Sequence, residues 1–189
     1  MIAIVSGLPR SGTSTAMQML AAGGLPILTD GRRGPDADNP RGYYEWEPIK
    51  RLPQEPDLIA EAEGKAVKVI SWLLGTLPAG HDYRVLFMVR PLEEVVASQS
   101  VMILSRGAQG PALEPSAMVS ALEAHRSQVR AFLGTRPDLP VMNVDYHALL
   151  ADPGGHASAM ARFLEVMPDI QAMADQVDTA LYRQRKTAL

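Results

Sequence analysis

The chain has 189 residues, 47% of them apolar and 21% charged, with a formal net charge of −3. This is enough for one globular domain with a full core, and it leaves no global basic field to recruit nucleic acid. The absence of cysteine excludes disulfides, thiolate metal sites and a cysteine nucleophile.

Met1 to Val5 is an apolar run that predicts a short buried strand. It is too short for a signal peptide, and no stretch of the chain approaches the roughly 20 apolar residues of a membrane helix. A cytoplasmic protein with no membrane or nucleic-acid partner is therefore expected. The next segment is Ser6-Gly7-Leu8-Pro9-Arg10-Ser11-Gly12-Thr13-Ser14-Thr15, and residues 16–22 predict a helix. A strand, a Gly-containing turn and a helix start form an anion cradle, because free N–H groups and the positive end of the helix dipole face the turn. The spacing Gly7-x4-Gly12 is that of a P-loop, but Thr13 stands where the lysine should follow. Four hydroxyls (Ser11, Thr13, Ser14, Thr15) and the fixed charge of Arg10 are hard to explain by packing, and they point to phosphate binding.

Leu25 to Leu28 predicts another short strand, and residues 29–48, dense in Gly, Pro, Asp and Arg, predict a lid loop. Residues 49–64 show no clear period. Lys65 to Ile70 predicts a strand ended by Gly75, Pro78 and Gly80, and Tyr83 to Val89 predicts the central strand. A helix is expected from Pro91, with Glu93 and Glu94 suited to its dipole and Leu92, Val95, Val96, Gln99, Met102 and Ile103 on one face. A break is expected over 107–115, then a helix over 116–133, a strand over 140–144, short helices over 146–151 and 154–166, and a last helix over 169–183. Strands alternating with helices predict an α/β fold, a single domain with a central parallel sheet covered on both faces.

Arg90 leaves the central strand on the edge where open α/β sheets bind ligands. Ser98 lies about 10 Å further along the following helix, so the two are candidates to share one phosphate. Together the motifs resemble the sulfotransferase superfamily. Residues Pro9, Arg10, Ser11, Gly12, Thr13 and Ser14 are similar to its 5′-phosphosulfate loop, and Arg90 with Ser98 to its 3′-phosphate pair. Val144 to Pro153 and Asn39 to Glu45 resemble two further family segments. The resemblance, which covers most of residues 1–153 in pieces, implies a P-loop NTPase-like three-layer α/β/α fold. It implies 3′-phosphoadenosine 5′-phosphosulfate as co-substrate, a small-molecule acceptor and no required metal.

By that resemblance Arg10 takes the place of the family's loop lysine; it keeps the charge but, always protonated, cannot donate a proton. The general base is expected at Glu45, with Glu47 and His125 as rivals, because Lys68-Val69-Ile70-Ser71 lacks the histidine of cytosolic members. Lys68 is a candidate to support the leaving group or the acceptor. Arg32, Arg33 and Arg41 surround the lid, Trp46 and Trp72 are core or stacking candidates, and the basic stretch 183–186 is a candidate 3′-phosphate contact. A nucleotide kinase or NTPase would want the missing lysine and a magnesium ligand such as Asp145; a non-catalytic nucleotide-binding relative is the third alternative.

Overall fold

The computed structural model describes residues 1–105 and 114–182. Most of the expected 107–115 break and the basic stretch 183–186 lie outside the described residues. Five strands form one all-parallel sheet: β1 (Ile2–Gly7), β2 (Ile27–Leu28), β3 (Ala66–Lys68), β4 (Tyr83–Val89) and β5 (Val141–Asp145), in the order β2-β3-β1-β4-β5. The register sets Val5 beside Lys68 and Leu86, and Val89 beside Asp145.

Helices lie on both faces. They are α1 (Thr13–Ala22), α2 (Leu92–Ser105), α3 (Pro115–Gly134), α4 (Tyr146–Ala151), α5 (Pro153–Leu164) and α6 (Ile170–Ala174). Alternate residues of the strands feed two cores. Ile2, Ile4, Val85 and Phe87 pack with Val129 of α3 and the segment 46–77. Ala3, Val5, Leu86 and Met88 pack with α1, α4, α5 and α6. The strands are apolar on both faces, as a doubly covered parallel sheet requires. No helix among the described residues is long and apolar enough to cross a membrane.

Several elements differ from expectation, each for a local reason. Residues 49–64 are read by no period because they hold two short 3₁₀ helices, Glu47–Arg51 and Pro56–Ala62, each with proline in its first turn. The strand expected through Ile70 stops at Lys68, and a 3₁₀ helix follows over Ser71–Thr76. The last helix is two pieces, α6 and a 3₁₀ turn at Thr179–Leu181. The Asp178 side chain accepts from Ala180 N at 2.9 Å and restarts the chain as a new cap. Helix α5 ends two residues early because Glu165 adopts the left-handed region, φ 55°.

The chain runs from β1 out to β2, back to β3, then across β1 to β4 and β5. This reversal opens a crevice at the carboxyl ends of β1, β3 and β4. Gly7, Lys68 and Val89 end their strands there, on one edge of the sheet.

Candidate functional site

Between β1 and α1 the chain makes a tight loop. Arg10 is left-handed (φ 74°), as are Gly7 (φ 146°) and Gly12 (φ 102°). The turn is pinned by Ser11 N donating to Leu8 O at 3.1 Å. Helix α1 then starts at Thr13 with no side-chain cap and no acid in its first turn. Among the described residues, the N–H groups of Gly12, Thr13, Ser14 and Thr15 have no acceptor. They open onto a cavity of about 350 Å³. Uncapped donors at a helix start favour an anion there.

Both glycines are needed for close approach. A Cβ on Gly12 would sit 2.5 Å from the Tyr146 ring, and one on Gly7 would sit 2.5 Å from Ser11 Oγ and 2.9 Å from Met88 O. Gly12→Ala therefore combines a strained φ with a ring clash. It is expected to cost about 2 kcal/mol of stability, read as a lower midpoint in urea. An unchanged midpoint would mean that the Tyr146 ring yields freely.

Of the expected site residues, Pro9, Arg10, Gly12, Thr13, Ser14, Glu45, Arg90 and Ser98 all line this cavity. Ser11 does not: it is buried beneath the loop, and its Oγ has no hydrogen-bond partner among the described residues. Arg10 Nε donates to Ser98 Oγ at 2.9 Å, and its Nη2 donates to Asp38 O at 3.1 Å. The loop arginine thus reaches the helix serine, and crosses to the lid as well. Arg90 Nη1 donates to Arg10 O at 3.1 Å, and Gln99 Nε2 donates to Pro9 O at 3.1 Å, so α2 holds the loop from the side.

Arg90 is also paired with Glu94 at 2.9 Å, one turn into α2. Glu94 is not the solvated dipole partner that its position suggests. It is 3% exposed and accepts from Tyr182 Oη at 2.6 Å, with His147 Nε2 at 3.0 Å. The rings of Tyr146 and Tyr182 flank the guanidinium, with centroids 5.3 and 5.0 Å away. A buried charge of this kind is retained only with such partners.

Lys68 ends β3 with its ammonium inside the site. It is 6% exposed and donates to Ser14 Oγ at 3.0 Å and to Tyr43 O. Burial lowers its pKa to about 8, with Arg33 and Arg10 acting in the same direction and Glu45 opposing. The space that the missing loop lysine would serve is thus reached by a lysine from the neighbouring strand. Asn39 Nδ2 also donates to Ser14 Oγ, at 3.0 Å, so lid, loop and strand meet at one hydroxyl.

The lid is a packed loop. The carboxylate of Asp36 accepts from Asp38 N, Asn39 N and Tyr43 Oη at 2.8–2.9 Å. Arg33 lies over the Tyr43 ring, 3.4 Å from its centroid, and pairs with Glu45 at 2.9 Å. Arg41 leaves the cavity side and donates to Gln176 O and Asp178. Arg32 is mostly exposed.

Of the two rivals to Glu45, one shares the cavity with it and one does not. Glu47 lines the cavity but pairs with Lys50 at 2.8 Å. His125 does not line it. Its Nε2 meets Ser71 Oγ at 2.9 Å, its ring stacks on Trp72 at 4.0 Å, and burial lowers its pKa. Trp46 lines the cavity and Trp72 does not. Asp145 caps α4, accepting from Ala148 N at 2.9 Å, and is likewise absent from the cavity wall.

Lys68 was expected only to support a leaving group or an acceptor, and Asn39 and Tyr146 only as parts of two motif-like segments; the structure puts all three in the cavity wall. The lysine's own sequence signal is a charge at the end of an apolar strand run. No protein-family model matches the chain, and no curated protein matches it.

Proposed function

We propose that the protein is a P-loop-type sulfotransferase that uses 3′-phosphoadenosine 5′-phosphosulfate and a small hydroxyl or amine acceptor. The observation that carries this reading is the meeting of Arg10, Ser98 and Arg90 beside unpaired helix-start N–H groups in one cavity. Those groups suit a ligand with two separated anionic ends. The open first turn of α1 fits a cradle for the 5′ end. Arg90 and Ser98 are assigned to the 3′-phosphate.

The bound donor supplies an activated sulfuryl group and a phosphate leaving group. Arg10, Lys68 and the N–H groups of Gly12 to Thr15 hold the negative charge that collects on that leaving group. Glu45 takes the acceptor proton as the new bond to sulfur forms. Release from Arg33 makes its carboxylate available.

Calorimetric titration with adenosine 3′,5′-bisphosphate and, in parallel, with ATP–Mg²⁺ tests the reading. Selective binding of the bisphosphate without metal supports it. Selective binding of ATP–Mg²⁺ replaces it with kinase or NTPase chemistry. Glu45→Gln is expected to keep bisphosphate affinity within twofold and to lower kcat by 10²–10⁴-fold. Full turnover by that variant would move the base elsewhere.

A further inference from the structure

The cavity lining joins two chemically different groups of residues. One is the phosphate loop with its cations. The other is apolar: Ile49 from the 3₁₀ helix after the lid, Ile70 and Leu73 from the turn after β3, and Val101 and Met102 from α2. None of these side chains can form a strong hydrogen bond. The ion pair on that wall, Lys50 with Glu47, carries no net charge.

The apolar wall does not stop at the cavity. Five large apolar side chains are exposed among the described residues; two of them, Ile70 and Val101, line the cavity, and Trp72 and Leu104 follow them two and three residues further along the same segments. Ile70 is 37% exposed and Val101 45%; Trp72, two residues after Ile70, is 47%, and Leu104, one turn after Val101, is 61%. Ile70 and Val101 belong both to the cavity lining and to the outer strip. An exposed apolar strip that runs into a polar site marks a ligand groove rather than scattered surface residues.

We infer that the acceptor is an alcohol or phenol with an apolar body. Its hydroxyl reaches the Glu45 and Lys68 end, and its body lies between Ile49, Ile70 and Val101 and runs out over Trp72 and Leu104. This rests on the proposed sulfotransferase reading. A sugar acceptor would leave its hydroxyls against this wall without partners, at a cost in binding.

The chain has two tryptophans, Trp46 in the cavity wall and Trp72 on the strip, so intrinsic fluorescence reports both ends. The probes are hexanol, octanol, decanol and glucose, with adenosine 3′,5′-bisphosphate titrated in parallel. Affinity is expected to rise about fourfold per added methylene, with no response to glucose. Val101→Asp, a half-exposed position that does not threaten the core, is expected to flatten the series while bisphosphate affinity stays unchanged.

A flat alkanol series or a response to glucose overturns the inference. So does a concentration-dependent dimer that Val101→Asp dissolves, since the strip would then belong to a second copy. Bisphosphate binding with a flat series removes the acceptor class alone. Alkanol binding without bisphosphate binding supports the apolar site and removes the donor reading instead.

Discussion

Arg90→Ala is expected to weaken adenosine 3′,5′-bisphosphate binding by about a hundredfold, the scale of a lost charge-assisted contact in a desolvated site. The same change takes the arginine from Glu94, which is 3% exposed and keeps Tyr182 and His147 as partners. Leaving a buried carboxylate without its cation costs about 3–5 kcal/mol, so the single variant risks reporting unfolding instead of binding. Arg90→Met combined with Glu94→Gln removes both charges and keeps most of the volume. That pair should regain most of the midpoint in urea and still bind the bisphosphate weakly. Recovery of affinity together with stability would show that Arg90 acts through Glu94 and holds no phosphate.

Lys68→Met is expected to lower kcat by 10²–10³-fold, the effect of removing one stabilising donor, with little change in acceptor KM. The sharper test is pH. The native lysine gives up its proton near pH 8, while the unfolded one keeps it to about 10.4. Between those values the unfolded state binds more protons, so stability rises with pH, by at most about 1.4 kcal/mol per unit. Below pH 8 both states are protonated and the native state carries the full burial penalty. The difference between wild type and Lys68→Met should therefore vary from pH 8 to 10 and be flat below. An anion bound beside the ammonium raises its pKa. Calorimetry at pH 8 in buffers of different ionisation heat should show uptake of about half a proton in the wild type and none in the variant. Equal uptake in both would take Lys68 out of contact with the ligand.

The β1-loop-α1 unit was legible because its signals are local: an apolar run, two glycines at fixed spacing, then a helix. Arg90 and Ser98 were legible for a related reason, since strand end and helix rise fix their separation. Lys68 was only half legible. Its place at a strand end is local, but its burial and its contact with Ser14 exist only once β3 packs beside β1. Glu94 was legible as a first-turn acid of α2, but its burial was not, because Tyr182 arrives from 88 positions away to meet it. Asp145 sits at the right strand end for a metal ligand, yet its carboxylate is spent on the α4 cap. Residues 49–64 gave no period because 3₁₀ turns lack the 3.6-residue stripe that amphipathic reading relies on.

The two ends of the lid are stapled together. Asp30 N and Thr29 Oγ1 both donate to Glu45 O, and Glu47 N donates to the Asp30 carboxylate. Residues 31–44 thus hang from a closed neck, and Asp36 bonds with Asp38, Asn39 and Tyr43 while Arg33 lies over the Tyr43 ring, all inside the loop. Loops of this kind carry their own packing. For a protein engineer the segment is a cassette: it can be exchanged for another loop at the Asp30–Glu45 junction while the sheet keeps its hydrogen bonds. Among the described residues, the ties that an exchange must rebuild include Arg10 with Asp38, Asn39 with Ser14, Lys68 with Tyr43, and Arg41 with the segment 176–178.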